Sequence, residues 1–247
     1  MRDCLLVILL KRVREKRSLQ CTYSEPFDQP QCHNRPMRIT PRLLLLAAAL
    51  AIAAAAQTTG ARDYWNKVFS NPGSEFNRAP SHLLEDAVRG RRPGTAVDLG
   101  MGEGRNAIFL ARQGWHVTGV DLSDVAVAQA KKRAAEAGVP LESVVSDLNQ
   151  YDFGRDRWDL VALFYMHAWF HLSKLPSARR LRDALKPGGL LVIEGYGAGP
   201  DNGVGYQTNE LLRAFSDLKI LRYEDAAAEA DWAPGQKSRV VRLIAEK

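Results

Sequence analysis

Short apolar runs and helical patterns take turns along residues 57–247, and that alternation restricts the folds open to the chain. The runs are Thr95–Leu99, Trp115–Val120, Leu141–Val145, Trp158–Phe164 and Leu190–Glu194, each of strand length. Between them, Asn106–Gln113, Asp124–Ala137 and Ser177–Leu185 space their apolar residues as helices do. Gly114, Gly138 and Pro187-Gly188-Gly189 close those helices. Ala61–Phe69 and Ser81–Arg89 read as two amphipathic helices ahead of the first strand, the second started by Pro80-Ser81. Strands alternating with helices predict βαβ units and an α/β fold with a doubly wound, mostly parallel sheet. Leu218–Tyr223 and Arg239–Ala245 are two more strand patterns, joined by an Ala/Asp/Glu-rich segment without a helix signal. They predict an antiparallel hairpin at one edge. In such sheets ligands bind beyond the carboxyl ends of the strands.

The remaining residues, 1–56, are of another kind. They hold nine Lys/Arg against four Asp/Glu, whereas residues 57–247 hold 25 against 24. The basic balance therefore belongs to the N-terminal segment, and the near-neutral domain has no electrostatic case for nucleic-acid binding. Cys4, Cys21 and Cys32 all precede residue 37. That excludes a disulfide framework, a zinc–cysteine site and a cysteine nucleophile from the domain. Residues 1–36 show no packing period and read as a disordered or non-native extension. Met37-Arg38-Ile39-Thr40-Pro41-Arg42, then the apolar run Leu43–Ala56, has the shape of a signal peptide, which places the natural start at Met37. A disordered arm followed by an Ala-rich helix is the alternative. The apolar run spans about 21 Å as a helix, short of the ~30 Å hydrocarbon core, so no stable membrane span is expected.

The first strand runs into Asp98-Leu99-Gly100-Met101-Gly102-Glu103-Gly104-Arg105-Asn106. Three glycines at alternate positions let the backbone turn sharply and let a ligand approach it closely. Gly102 to Ala107 also fits the dinucleotide G-x-G-x-x-A pattern, so a nicotinamide cofactor must be weighed. Asp98 and Glu103 bracket the loop with negative charge, which opposes a pyrophosphate at a helix N-terminus. A ligand carrying an ammonium and a sulfonium, S-adenosylmethionine, matches that charge better. Asp121 ends the second strand, 17 residues after Gly104, where a carboxylate can accept from both ribose hydroxyls. Asp147 and Leu148 follow the third strand, where they can meet an adenine amino group and ring. Each acid taken alone has a plainer reading as a helix N-cap or solvated turn.

With these residues the chain resembles the class I S-adenosylmethionine-dependent methyltransferases, closest to the branch with the tellurite-resistance and thiopurine methyltransferases. The matching pieces are Val97–Asn106, Gly114–Ser123, Ser146–Asn149 and Leu185–Gly189, covering about residues 75–195. The resemblance implies a Rossmann-like sheet of seven strands in the order 3-2-1-4-5-7-6. It implies that Gly100, Gly102 and Gly104 line the methionine moiety, with Asp98 holding the loop and the amino group. Asp121 would take the ribose, Asp147 and Leu148 the adenine, and Leu122 and Phe164 would lie beside the cofactor. Met101 departs from the Cys that many relatives carry.

The acceptor is expected beyond strands four and five, near Phe164-Tyr165-Met166-His167-Ala168-Trp169-Phe170-His171 and Glu194-Gly195-Tyr196, with Phe76–Pro80 as a lid. His167, Tyr165 and Tyr196 are candidates for acid–base or acceptor-binding roles, against ordinary core packing. His167 and His171 have i, i+4 metal spacing, but no third ligand follows and no metal is expected. The Asp/Asn-Pro-Pro-Tyr/Phe motif of nucleic-acid amino methyltransferases is missing after strand four. Methyl transfer to a small molecule is therefore the leading function, with a protein or RNA acceptor, or a non-catalytic cofactor-binding module, as alternatives. Localisation is pulled two ways: the Met37 segment points to export or anchoring, and cofactor supply to the cytoplasm.

Overall fold

The structure, a computed structural model, describes residues 20–22, 31–33, 59–73, 76–199, 204–231 and 233–247. It divides into two units, Met1–Gln57 and Thr58–Lys247. In the first, two short strands, Gln20–Thr22 and Gln31–His33, pair antiparallel with Cys21 opposite Cys32. The extension and signal-peptide readings of residues 1–56 otherwise fall outside the described residues.

The second unit is a seven-stranded sheet. Its strands are β1 (Thr95–Leu99), β2 (His116–Asp121), β3 (Glu142–Val145), β4 (Trp158–Phe164), β5 (Leu185–Tyr196), β6 (Lys219–Ala230) and β7 (Ala233–Glu246). Their order is β3-β2-β1-β4-β5-β7-β6. The first five run parallel, and β7 is antiparallel to both β5 and β6. The helices are α1 (residues 59–70), α2 (His82–Val88), α3 (Arg105–Arg112), α4 (Asp124–Glu136), α5 (His167–Ala184) and α6 (Glu210–Ala214).

Strand alternation assigns the two faces. Val97, Leu99, Val161 and Leu163 pack with Phe170, Leu181, Leu211 and Phe215 of the α5–α6 side. Ala96, Leu160, Ala162 and Phe164 pack with Leu84, Leu110 and Ala130 of the α2–α3–α4 side. Both faces of the parallel core are covered, which is why its strands read as near-continuous apolar runs.

Two expectations need correction. Helix α5 begins at His167, ten residues before the expected Ser177, and carries Pro176 inside it. Burial of Phe170 against Tyr206 and Phe215 holds that early part in spite of the proline. The Ala/Asp/Glu-rich segment is strand, not connector: β6 reaches Ala230 and β7 starts at Ala233. Ala, Asp and Glu have low strand propensity, but cross-strand pairs override it. Arg239 grips Asp225 with two bonds of 2.7 Å, and Arg242 reaches Glu224 at 3.4 Å. Tyr196 pairs with Val240, so the hairpin runs on past the carboxyl end of β5. Its tip turns to α2: the Asp231 carboxylate accepts from the His82 N–H at 3.1 Å, and the Asp231 carbonyl accepts from Asn77.

Candidate active site

The glycine loop leaves β1 and is pinned to β2. The Gly100 and Met101 N–H groups donate to the Val120 carbonyl at 2.8 and 3.1 Å. Asp121, 8% exposed, then takes the Gly102 N–H on Oδ2 and the Ser123 N–H on Oδ1, both at 2.8 Å. Burial raises its pKa above the usual carboxylate range, and those backbone bonds oppose the rise. Asp121 thus holds the loop itself, and a carboxylate keeps further lone pairs for a ligand hydroxyl. Gly104 caps α3 at φ 81°, a left-handed conformation, and a Cβ there would come 3.0 Å from the Ala130 methyl. Only glycine meets both conditions without strain.

Asp98 lies under this loop, 1% exposed, on the α3 face of β1. Its Oδ2 has no hydrogen-bond partner among the described residues. Burial pushes its pKa up to about 7; Arg105 opposes the shift, Asp121 adds to it, and a bond from the Ala107 N–H opposes it. Glu103 behaves differently. It pairs with Arg133 of α4 at 2.6 Å, so the negative character of the loop rests on Asp98 and Asp121. Asp147 is joined to the same strand ends through the Ser146 N–H bond to the Asp121 carbonyl at 2.8 Å, and its Oδ1 accepts from the Asn149 N–H. Leu122, next to Asp121 in sequence, is half-buried, while Leu148 and Phe164 are buried in the two cores.

Helix α1 covers the loop, a role the sequence did not disclose. Asn66 accepts from the Ser123 hydroxyl at 2.6 Å and donates to Asp124 at 2.8 Å. A Cβ on Gly102 would lie 3.4 Å from the Phe69 ring, and one on Gly100 would strike the Met166 sulfur. The expected lid, Phe76–Pro80, is tethered instead by the residues after the loop. Arg105 donates to the Ala79 carbonyl at 2.9 Å, and Asn106 accepts from the Ser81 N–H at 2.9 Å.

At the ends of β4 and β5 the sequence candidates do meet. Tyr165, at φ 57°, donates its hydroxyl to Glu194, and its ring stands 5.3 Å from Tyr196. Burial, with Glu194 beside it, pushes the Tyr165 phenol far above its ordinary range, so it stays protonated. Glu194 is fully buried, and its other oxygen takes Arg242 Nε at 2.9 Å. The Tyr165–Glu194–Arg242 chain was missed, because nothing in sequence links residues so far apart. His167 packs its ring 5.6 Å from Tyr196 and 6.2 Å from Tyr206; its Nδ1 is buried without a partner among the described residues. Burial lowers its pKa and favours the neutral imidazole. The side chain of His171 lies outside the described set.

Comparison with known proteins agrees with this geometry. Residues 96–189 match a methyltransferase domain model. The chain is 27% identical over 176 residues to Hemagglutinin 1 of Eikenella corrodens, covering 66% of this chain and 58% of that protein. It is 36% identical over 97 residues to a ubiquinone biosynthesis O-methyltransferase of Methylobacterium, covering 39% and 38%. It is 21% identical over 175 residues, 68% of this chain and 58% of the other, to TehB of Haemophilus influenzae, a probable S-adenosyl-L-methionine-dependent methyltransferase. A crystal structure of TehB from Haemophilus influenzae superposes with a TM-score of 0.61 at 18% identity, covering 75% of this chain and 66% of that one. The chain spans at most 58% of the length of these three curated relatives. Sheet order, glycine loop and domain match together give residues 96–189 the fold and sequence pattern of a methyltransferase domain, and the chain resembles TehB over 68% of its length.

Proposed function

We propose that the Thr58–Lys247 unit binds S-adenosylmethionine along the carboxyl ends of β1, β2 and β3 and transfers its methyl group to a small-molecule acceptor held beyond β4 and β5. The observation that carries the reading is the orphaned, buried Oδ2 of Asp98 beneath a glycine cradle. A buried carboxylate oxygen with no partner among the described residues is costly, and an ammonium group supplies the missing charge and donor. Gly100, Gly102 and Gly104 supply the left-handed turns of the loop, Asp121 offers its remaining lone pairs to hydroxyls, and Asp147 lies at the next strand end. Two acids here oppose the phosphates of a nicotinamide dinucleotide.

When bound, the cofactor supplies an electrophilic methyl on a sulfonium with a ready leaving group. The protein's part is positioning, exclusion of water and removal of a proton. Helix α1 and Phe69 shield the loop. Neutral His167, whose Nδ1 has no partner among the described residues, is the base for an acceptor that must lose a proton. Tyr165 and Tyr196 form the aromatic wall beside it. The near-neutral domain favours a small molecule over RNA. The test is S-adenosylhomocysteine production from S-adenosylmethionine with small-molecule, protein and RNA fractions offered separately. Turnover with the small-molecule fraction alone is expected; turnover confined to protein or RNA, or with none, contradicts the proposal.

A further inference from the structure

Helix α1 brings a row of aromatic rings to the glycine loop. Phe69 stands 5.0 Å from Phe76 and 6.0 Å from Trp65, and Trp65 meets Tyr64 edge-on at 5.4 Å. Phe69 is the member that reaches the loop. Its Cζ lies 3.4 Å from where a Gly102 Cβ would stand, in ordinary van der Waals contact. The helix is fixed there by two separate contacts. Asn66 bonds to Ser123 and Asp124, and Gln129 of α4 donates to the Phe69 carbonyl at 3.0 Å. The Phe69 side chain is half-buried, so part of its face remains accessible. The cation–π contacts among the described residues are Arg157 on Trp158 and Arg180 on Phe153, so no cationic side chain of that set occupies the Phe69 ring.

The place of Gly102 decides what passes in front of that ring. Its N–H donates to Asp121 Oδ2 at 2.8 Å, and its loop lies over the orphaned Oδ2 of Asp98. S-adenosylmethionine carries its sulfonium between the amino-acid end and the ribose. With the ammonium at Asp98 and the ribose at Asp121, the sulfonium falls on the stretch of loop that Phe69 faces. An aromatic face attracts a cation within about 6 Å of its centroid, whereas an aliphatic side chain of similar bulk only excludes water. Methyl transfer removes that charge and leaves a neutral thioether.

We propose that Phe69 is a specificity-determining residue that reads the charge of the cofactor. Its ring, backed by Trp65 and Phe76, holds the sulfonium by cation–π attraction and so favours S-adenosylmethionine over the S-adenosylhomocysteine that turnover leaves behind. Asp98 and Asp121 bond groups that both forms share, so their hydrogen bonds do not distinguish the two. The inference rests on the cofactor site of the proposed function and adds to it a means of telling cofactor from product.

The test is calorimetric titration of the full chain with S-adenosylmethionine, S-adenosylhomocysteine and sinefungin, in which an ammonium-bearing carbon replaces the sulfonium. Phe69→Leu removes the aromatic face and keeps an apolar side chain, and Phe69→Tyr restores the face. Phe69→Leu is expected to weaken S-adenosylmethionine and sinefungin about fivefold more than S-adenosylhomocysteine, and Phe69→Tyr to return the ratio to within about twofold of the wild type. The ratio is the readout because looser packing of α1 weakens all three ligands alike. An equal loss of all three in Phe69→Leu, no loss of any, sinefungin following S-adenosylhomocysteine, or a Phe69→Tyr ratio that stays with Phe69→Leu overturns the proposal. The wild-type titration separates the two ideas. If the wild type binds these ligands and the ratio does not move, the role of Phe69 is wrong and the cofactor site stands. If the folded wild type binds none of them, both fall.

Discussion

Asp98→Asn should stabilise the free protein while destroying its ligand site. Asp98 is buried, and burial pushes its pKa up to about 7, against 3.8 for an ordinary aspartate carboxyl. The fold therefore prefers the protonated acid. Between pH 3.8 and 7 the native state binds more protons than the unfolded chain, so stability is full below the lower value and is lost as pH rises through the upper one. At 1.36 kcal/mol per unit, the ionised carboxylate costs the fold on the order of 4 kcal/mol above pH 7. Some 3 kcal/mol of that accrues between pH 5 and pH 7. An asparagine carries no charge, keeps an acceptor for the Ala107 N–H and adds an unpaired amide worth about 1–3 kcal/mol. Relative to wild type, Asp98→Asn should thus gain about 3 kcal/mol in passing from pH 5 to pH 8, or roughly 6–12 °C in unfolding temperature for a domain of this size. Thermal unfolding of both proteins at the two pH values measures it. A difference between variant and wild type that is the same at pH 5 and pH 8 would refute the burial argument.

Three further outcomes follow from the same geometry. Asp121→Ala removes the acceptor of two buried N–H groups and should weaken S-adenosylhomocysteine binding by about 1–3 kcal/mol, read from the dissociation constant. Gly104→Ala forces a Cβ into φ 81° against Ala130 and should lower stability by about 1–2 kcal/mol in denaturant unfolding. Arg242→Met strands the buried Glu194 carboxylate and should destabilise by about 3–5 kcal/mol, with most of the loss recovered in the Arg242→Met/Glu194→Leu double variant.

The parallel core was legible because strands buried on both faces must be apolar along their length, as β1 and β4 are. The glycine loop and Asp121 were legible because loop, strand end and acid follow one another within one βαβ unit. What sequence could not give is pairing at a distance. The partner of Glu103 is Arg133, a full helix further on, whereas the local charge pattern had counted Glu103 with Asp98 as negative charge opposing a pyrophosphate. Glu194 and Arg242 meet only because β7 lies antiparallel to β5 in a register that no local pattern states. The long hairpin was hidden for a related reason. Its alanines and acids are poor strand formers, and the arginines that hold them come from the opposite strand. The covering role of α1 depends on where Asn66 and Phe69 land, which is a tertiary fact.

Calorimetric titration of the full chain with S-adenosylhomocysteine, run beside Asp98→Asn, tests the central claim most directly. The account predicts one site of micromolar affinity, about −8 kcal/mol, in the wild type and its loss in the variant. A folded wild type that releases no heat, or a variant that binds as well, would contradict it.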